Sequence, residues 1–177
     1  VVGAGIGGMQ AALDLAEAGL KVYLLEQSPA IGGIMAQLDK TFPTNDCAMC
    51  IMSPKLVEVG RHLNIEILTT AEVAGIEGEP GDFRVSVRHH PRYVDIEACT
   101  GCGDCAAACP IHRPDAFNGN LSERRAIYKP YPQAIPNAYA IEKAGTAPCR
   151  DACPISQRAQ GYVALVREGR YADAYRT

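Results

Sequence analysis

The sequence predicts an α/β fold: a Rossmann-like, dinucleotide-holding unit, then a cysteine-rich stretch and a short α-helical tail. Three observations predict it. A glycine loop, Gly3-x-Gly5-x-x-Gly8, stands between a short apolar lead, Val1-Val2, and a helix-periodic run. An apolar strand-like run, Val22-Tyr23-Leu24-Leu25, follows and ends on the acid Glu26. Four cysteines then fall at Cys99-x2-Cys102-x2-Cys105-x3-Cys109, with Pro110 directly after them.

Each glycine of the loop has its own reason. Gly3 permits the tight turn, Gly5 lets the backbone approach a pyrophosphate, and Gly8 lets the helix pack close to the strand. The helix carries apolar Met9, Ala12, Leu13, Leu15 and Ala16 and is expected to end near Gly19. Its N-terminus offers N–H groups and partial positive charge to phosphates. Glu26, at the end of the next strand, is placed to accept hydrogen bonds from ribose hydroxyls. Strand, glycines, helix, strand and terminal acid in that order are far more specific than the glycines alone. On loop chemistry alone NAD stays open beside FAD, while NADP is disfavoured because no Arg directly follows Glu26. The extension Ser28-Pro29 with Gly32-Gly33 resembles flavoproteins that bind two dinucleotides, in which FAD takes this first site.

Thr41 to Cys50 reads as a loop holding a second cysteine pair, Cys47-x2-Cys50. The pair has three readings: two ligands of a cluster completed elsewhere, a redox dithiol beside the flavin, or inert buried thiols. The loop does not look like the thioredoxin arrangement, in which such a pair opens a long helix. Ser53-Pro54 reads as an N-cap followed by Pro at the first helical position, with a short helix to Val59 that stops at Gly60. Ile65 to Leu68 reads as a strand. Val73–Glu77 and Phe83–Arg88 read as a hairpin turned by Glu79-Pro80-Gly81-Asp82.

The run from Cys99 to Cys109 has the spacing of the bacterial ferredoxin motif, whose thiolates hold iron–sulfur clusters. Gly101 and Gly103 keep the backbone slim there, and Cys109-Pro110 ends a short helical turn. Structural zinc, the competing reading, takes two separated pairs and not four cysteines packed this tightly. Two pairings fit the spacing. One [4Fe–4S] cluster takes all four cysteines, or Cys153 completes a set with Cys99, Cys102 and Cys105 while Cys109 and Cys149 serve a second cluster. Residues 111–148, with five prolines, read as a wrapping connection and not a domain. Its basic residues, His112, Arg113, Arg124, Arg125 and Lys129, read as solvated loop charges or as an anion or partner site. After Cys153, 162–166 and 171–175 read as two short helices broken at Gly169.

Composition bounds the rest. The 177 residues suffice for one ordinary domain or two small ones, and 47% hydrophobic with 21% charged residues is a globular mixture. A net charge of -3 argues against a broad nucleic-acid surface, and no apolar run would span a bilayer. Eight cysteines at ligand spacing beside a nucleotide loop point to metal ligands in a reducing, cytoplasmic compartment. No Ser-His-Asp or paired-carboxylate constellation supports hydrolysis. The start at Val1, two residues before Gly3, leads us to expect a fragment and an incomplete nucleotide-binding unit.

Several stretches together carry a family resemblance. They are the opening loop, Gly32-Gly33, 35–47, Ser53-Pro54-Lys55-Leu56-Val57, the four-cysteine run, Arg125-Ala126-Ile127-Tyr128 and Pro132-Gln133-Ala134. In these, residues 1–145 resemble the A-type subunit of heterodisulfide reductase. The resemblance implies a thioredoxin-reductase-like FAD-binding fold with an inserted ferredoxin-like module. It divides the chain into 1–92 (flavin unit), 93–147 (insertion and connection) and 148–177. It implies electron relay among FAD, clusters and redox subunits, such as heterodisulfide reductase B/C-like, hydrogenase or dehydrogenase subunits, with NAD(P)H or ferredoxin as further partners. Some members bifurcate electrons at the flavin. The tail, Pro148-Cys149-x3-Cys153-Pro154 with 161–165 and 168–174, departs from that family. It is similar to the start of the helical Fe–S domain of the glutamate synthase small subunit. The functional expectation is a flavin and iron–sulfur oxidoreductase subunit, with a non-catalytic electron-carrying or scaffold module as the alternative.

Overall fold

The computed structural model of the protein describes all residues, Val1–Thr177. The chain forms two compact units, one from residues 1–102 and 129–140, the other from 103–128 and 141–177.

The first unit begins with α1 (Ile6–Glu17), β1 (Val22–Glu26), a single 3-10 turn (Gly33–Gln37), α2 (Ala48–Arg61) and β2 (Ile65–Thr69). β1 and β2 pair in parallel, from Val22 opposite Ile65 to Glu26 opposite Thr69. On the other edge of β1, the Gly3 N–H donates to the Leu25 carbonyl at 2.8 Å and the Leu25 N–H to the Val1 carbonyl at 2.9 Å. β1 therefore lies between the Val1–Gly3 lead and β2, the strand order of a Rossmann half. α1 turns Met9, Ala12, Leu13 and Ala16 inward at helical spacing. α2 does the same with Ala48, Met52, Leu56 and Val59. The largest fully buried side chains, Met9, Leu24, Ile31, Met52, Leu56 and Val59, all belong to this core, and burying each contributes about 1.5–3 kcal/mol.

α2 differs from the expected short helix. It starts at Ala48, capped by the Cys47 side chain, and runs through Pro54. Ser53 is interior, not a cap. Proline removes one N–H from the ladder, but the buried face continues unbroken across it and holds the helix together.

β3 (Ala71–Glu79) and β4 (Asp82–His89) form the expected antiparallel hairpin, with Glu79 opposite Asp82 across Pro80-Gly81. Gly81 adopts φ 97°, a left-handed value that glycine takes readily in a two-residue turn. Residues 129–140 return to this unit. The Tyr131 hydroxyl donates to the Ile31 carbonyl, the Ile31 N–H donates to the Ile135 carbonyl at 2.9 Å, and the Ile135 side chain packs over Gly60. The stretch read as a wrapping connection thus splits, because its apolar residues have a core to join.

The second unit contains α3 (Asp104–Ala108), β5 (His112–Pro114), a 3-10 turn (Ala116–Asn118), β6 (Glu123–Arg125) and β7 (Ile127–Tyr128). The two-residue β8 (Ala140–Ile141) precedes α4 (Pro148–Asp151), α5 (Ala159–Arg167) and α6 (Tyr171–Tyr175). β5 and β6 pair antiparallel, His112 opposite Arg125. Asp115 caps the turn between them by accepting from the Phe117 N–H at 3.1 Å. Of the basic residues read as loop charges or as an anion or partner site, His112, Arg113, Arg124 and Arg125 are paired within this unit, while Lys129 belongs to the first unit and donates to the Asn137 side chain at 2.8 Å. Glu142 accepts from Arg113 at 2.8 Å and from Arg124 at 2.5 Å, and Arg124 stacks 3.4 Å from the Tyr128 ring centre. Glu168 pairs with His112 at 3.2 Å and lies 3.6 Å from Arg125. Gly169, at φ 73°, separates α5 from α6 as expected.

Two expected outcomes test this packing. Leu24→Ala should destabilise the fold by about 2–5 kcal/mol in urea unfolding, whereas Leu63→Ala, at an exposed site, should stay within about 0.5 kcal/mol. Arg113 foremost, and Arg124 with it, hold the Glu142 carboxyl below its ordinary range. A carboxylate lowered on folding stabilises fully above its unfolded value, and the contribution is lost as pH falls through the folded value. Urea midpoints should therefore drop on acidification below the ordinary carboxylate range, and Glu142→Gln should flatten that drop.

Candidate functional site

The loop between the Val1–Gly3 lead and α1 is shaped by what its glycines lack. Gly3 sits at φ 88°. A Cβ on Gly8 would fall 1.8 Å from the Gly3 carbonyl oxygen, so the helix approaches the loop only because no side chain stands there. In front of Gly5 and Gly7 the space is open. Gly5 caps α1 without a side chain, and no acid occupies the first turn. The N–H groups of that turn are therefore left without a side-chain cap or a competing acid, as an anion-accepting helix start requires.

Glu26 ends β1 at this loop. One carboxylate oxygen accepts from the Ala4 N–H and the other from the Ser28 N–H, both at 2.9 Å. The acid that sequence reasoning assigned to a ribose is thereby held against the glycine loop. Gly32 and Gly33 form a second wall. The Gly32 N–H donates to the Ala4 carbonyl at 2.8 Å, and a Cβ on Gly33 would lie 2.9 Å from the Gly5 Cα. Gly3, Gly5, Gly8, Glu26, Gly32 and Gly33 thus converge in one place. Behind them stands Tyr131, which no sequence pattern flagged. Its hydroxyl pKa is pushed up to about 12 by burial and then by the Glu26 charge. It stays protonated and keeps donating to Ile31.

Cys47 and Cys50 are joined as a disulfide, with Cα atoms 5.2 Å apart. Cys47 is the N-cap of the 14-residue α2, and its sulfur accepts from the Cys50 N–H at 3.2 Å. The pair does open a helix, contrary to the sequence reading, because the helical face extends upstream of Pro54. Both cysteines are exposed, so they are not buried inert thiols.

In the four-cysteine run, Cys99 and Cys102 belong to the first unit, Cys105 and Cys109 to the second. The Cys99 thiol is held below its ordinary value, chiefly by the backbone N–H of Tyr139 and then by that of Gly101. Glycine is favoured at the next position but one: Gly101 sits at φ 72°, and a Cβ there would fall 2.7 Å from the Asn137 side chain, which would have to move aside. Gly103, at φ 94°, caps α3, which contains Cys105 and stops at Cys109. In the second unit Cys149 lies on α4, beside a cavity of about 710 Å³ that Arg113, Glu142 and Gly161 also line. The Cys153 thiol is lowered by backbone N–H groups, first Gln157, then Ile155. Donors aimed at a sulfur favour the thiolate, the form that ligates iron. No three His, Cys, Asp or Glu side chains converge on one point as a single ion requires. A cubane cluster makes a different demand, one thiolate per iron, so its ligands stand apart.

Residues 1–109, which hold the whole glycine loop and the cysteine run, match the family model described as FAD dependent oxidoreductase. An A-type iron-sulfur subunit of the CoB–CoM heterodisulfide reductase of Methanopyrus kandleri is 56% identical over 141 residues, 80% of this chain and 22% of that protein. The A-type subunit of the H2:CoB–CoM heterodisulfide,ferredoxin reductase of Methanothermobacter marburgensis is 52% identical over 143 residues, 81% of this chain and 22% of that one. A protein of Archaeoglobus profundus described as like the A-type subunit of heterodisulfide reductase is 49% identical over 178 residues, 87% and 25% of the two chains. The resemblance read from the motifs is borne out by these relatives. The chain spans about a fifth of the length of the first of them.

The missing Cβ of Gly8 gives a direct test. Gly8→Ala should weaken dinucleotide binding by about 5- to 150-fold, since overpacking against backbone costs about 1–3 kcal/mol. Gly75→Ala, where the space is open, should leave it unchanged. Bound flavin, read by its absorbance after gel filtration, checks both.

Proposed function

The chain belongs to the FAD-dependent oxidoreductase family, and from that premise we propose that it is the flavin-holding part of an iron–sulfur electron-relay subunit, of the A type found in heterodisulfide reductase. The observation that carries the reading is the joining of two features in one chain: a glycine-lined dinucleotide cradle, and cysteines of which Cys99 and Cys153 are held below the ordinary thiol range by backbone N–H donors.

The cradle fits FAD. Gly3, Gly5 and Gly8 bring the backbone and the α1 N-terminus to a pyrophosphate. Glu26 is oriented by Ala4 and Ser28 to receive ribose hydroxyls, and Gly32-Gly33 closes the far side. When bound, FAD exchanges electrons singly or in pairs, which is what lets one protein join pair-wise and single-electron partners. Cys99, Cys102, Cys105 and Cys109, with Cys149 and Cys153, are the ligands for one or two [4Fe–4S] clusters. The backbone donors at Cys99 and Cys153 support that assignment. Residues 93–147 then serve as a ferredoxin-like insertion in a thioredoxin-reductase-like flavin unit, and 148–177 as the start of a helical Fe–S unit. Cys47 and Cys50 are redox thiols in this reading. Reducing their disulfide takes up two electrons and two protons and yields two thiols.

The relatives' names place them in complexes acting on the CoB–CoM heterodisulfide, one of them also naming ferredoxin. Partner subunits of the same kind, electron bifurcation and a cytoplasmic location belong to this proposal. No helix is long and apolar enough to cross a membrane.

The test is the flavin, iron and acid-labile sulfide content of the full-length protein, purified without oxygen. Flavin together with iron and sulfide in equal amounts is the expected result. A protein with iron and no flavin would instead be a plain electron carrier. Cys99→Ser should reduce iron content while leaving flavin in place.

A further inference from the structure

Neither the glycine loop nor the cysteine run accounts for Arg92, whose side chain is buried at 7% exposure. Its guanidinium donates through Nε to the Tyr139 carbonyl at 2.8 Å and through Nη2 to the Ala138 carbonyl at 2.7 Å. Through Nη1 it reaches the Pro29 carbonyl at 2.8 Å and the Thr69 hydroxyl at 3.1 Å. Four neutral oxygens on three separate segments accept from one planar fork. Pro29 follows the Glu26 turn, Thr69 ends β2, and 138–139 belongs to the segment that returns to the first unit. Only a guanidinium presents donors at the angles this requires; an ammonium is a point charge on a flexible stem.

The Ala138 carbonyl and the Tyr139 N–H are the two ends of a single peptide group. Arg92 grips the oxygen end. The N–H end is the leading donor to the Cys99 sulfur. A cation bonded to the oxygen of a peptide polarises it and strengthens its N–H as a donor. The same contact fixes the plane of the peptide, and so the direction in which the N–H points. Hydrogen bonds to cluster sulfurs and nearby positive charge favour the reduced, more negative state of an iron–sulfur centre.

We infer that Arg92 is a positioning residue for the iron–sulfur centre: its grip on the Ala138 carbonyl aims and polarises the 138–139 peptide toward Cys99 and raises the reduction potential of the cluster that Cys99 ligates. The inference rests on the assignment of Cys99 as a cluster ligand. It adds an acting group that neither motif contains.

The experiment uses full-length protein prepared without oxygen, with redox titration followed by electron paramagnetic resonance. The signal altered by Cys99→Ser identifies the centre to be read. Arg92→Lys keeps the charge and removes the fork. It is expected to retain flavin and iron while moving that signal's midpoint to a more negative potential and changing its line shape. Thr69→Val leaves the grip on 138–139 in place and should leave the midpoint where it is. An unchanged midpoint and line shape in Arg92→Lys overturns the inference. An equal shift in Thr69→Val does the same. So does joint loss of flavin and iron from Arg92→Lys, which would mark Arg92 as general support for the fold. Absence of iron from the wild-type protein would instead sink the underlying ligand assignment.

Discussion

The closeness of α1 to its preceding loop is the constraint on which the first unit depends. With Gly8 against the Gly3 carbonyl, there is room for nothing larger than hydrogen. That contact sets the helix axis relative to β1, and with it the direction of the first-turn N–H groups. It also brings Ala4 within reach of Glu26. The carboxylate then spans from the loop to Ser28, and the Gly32-Gly33 wall settles onto Ala4 and Gly5. Each part of the cradle leans on the one before it, so one steric vacancy organises a binding site several times its size.

The second theme is the use of backbone N–H groups as electrostatic tools. They serve a carboxylate at Glu26 and a sulfur at Cys99, and in the proposed reading they would serve a phosphate at α1. A peptide dipole costs no counter-charge and cannot titrate, so it can polarise a redox centre without adding a proton to the chemistry. Glycines stand where this happens, Gly3, Gly5 and Gly8 at α1 and Gly101 beside Cys99, and two of them hold the left-handed backbone that a helix or strand would not allow. The ion pairs of the second unit do a different job. Arg113, Arg124, Arg125 and His112 are matched by Glu142 and Glu168, which binds the β5–β6 hairpin to the chain that follows it.

What was legible in the sequence was local. The glycine loop, the acid at the end of β1 and the Pro80-Gly81 turn each depend on a few consecutive residues, and the structure places them as read. What was not legible depends on distant partners. Pro54 looked like a helix start, yet buried Met52, Leu56 and Val59 carry the helix across it. The Cys47 pair looked unlike a helix opener for the same reason. Tyr131 and Arg92 lie in segments without periodicity. Their roles come from carbonyls contributed by other parts of the chain, which no pattern of neighbours encodes. The split of residues 111–148 between two units is likewise a matter of which core their apolar side chains reach.

The interleaved order of the two units has a consequence for how this protein can be taken apart. The main chain passes from one unit to the other three times, after 102, 128 and 140. Neither unit is a contiguous stretch, so no single scission separates them, and a nick at any one passage leaves two covalent tethers. Recombination that swaps one unit for a homologue's must exchange its segments in concert.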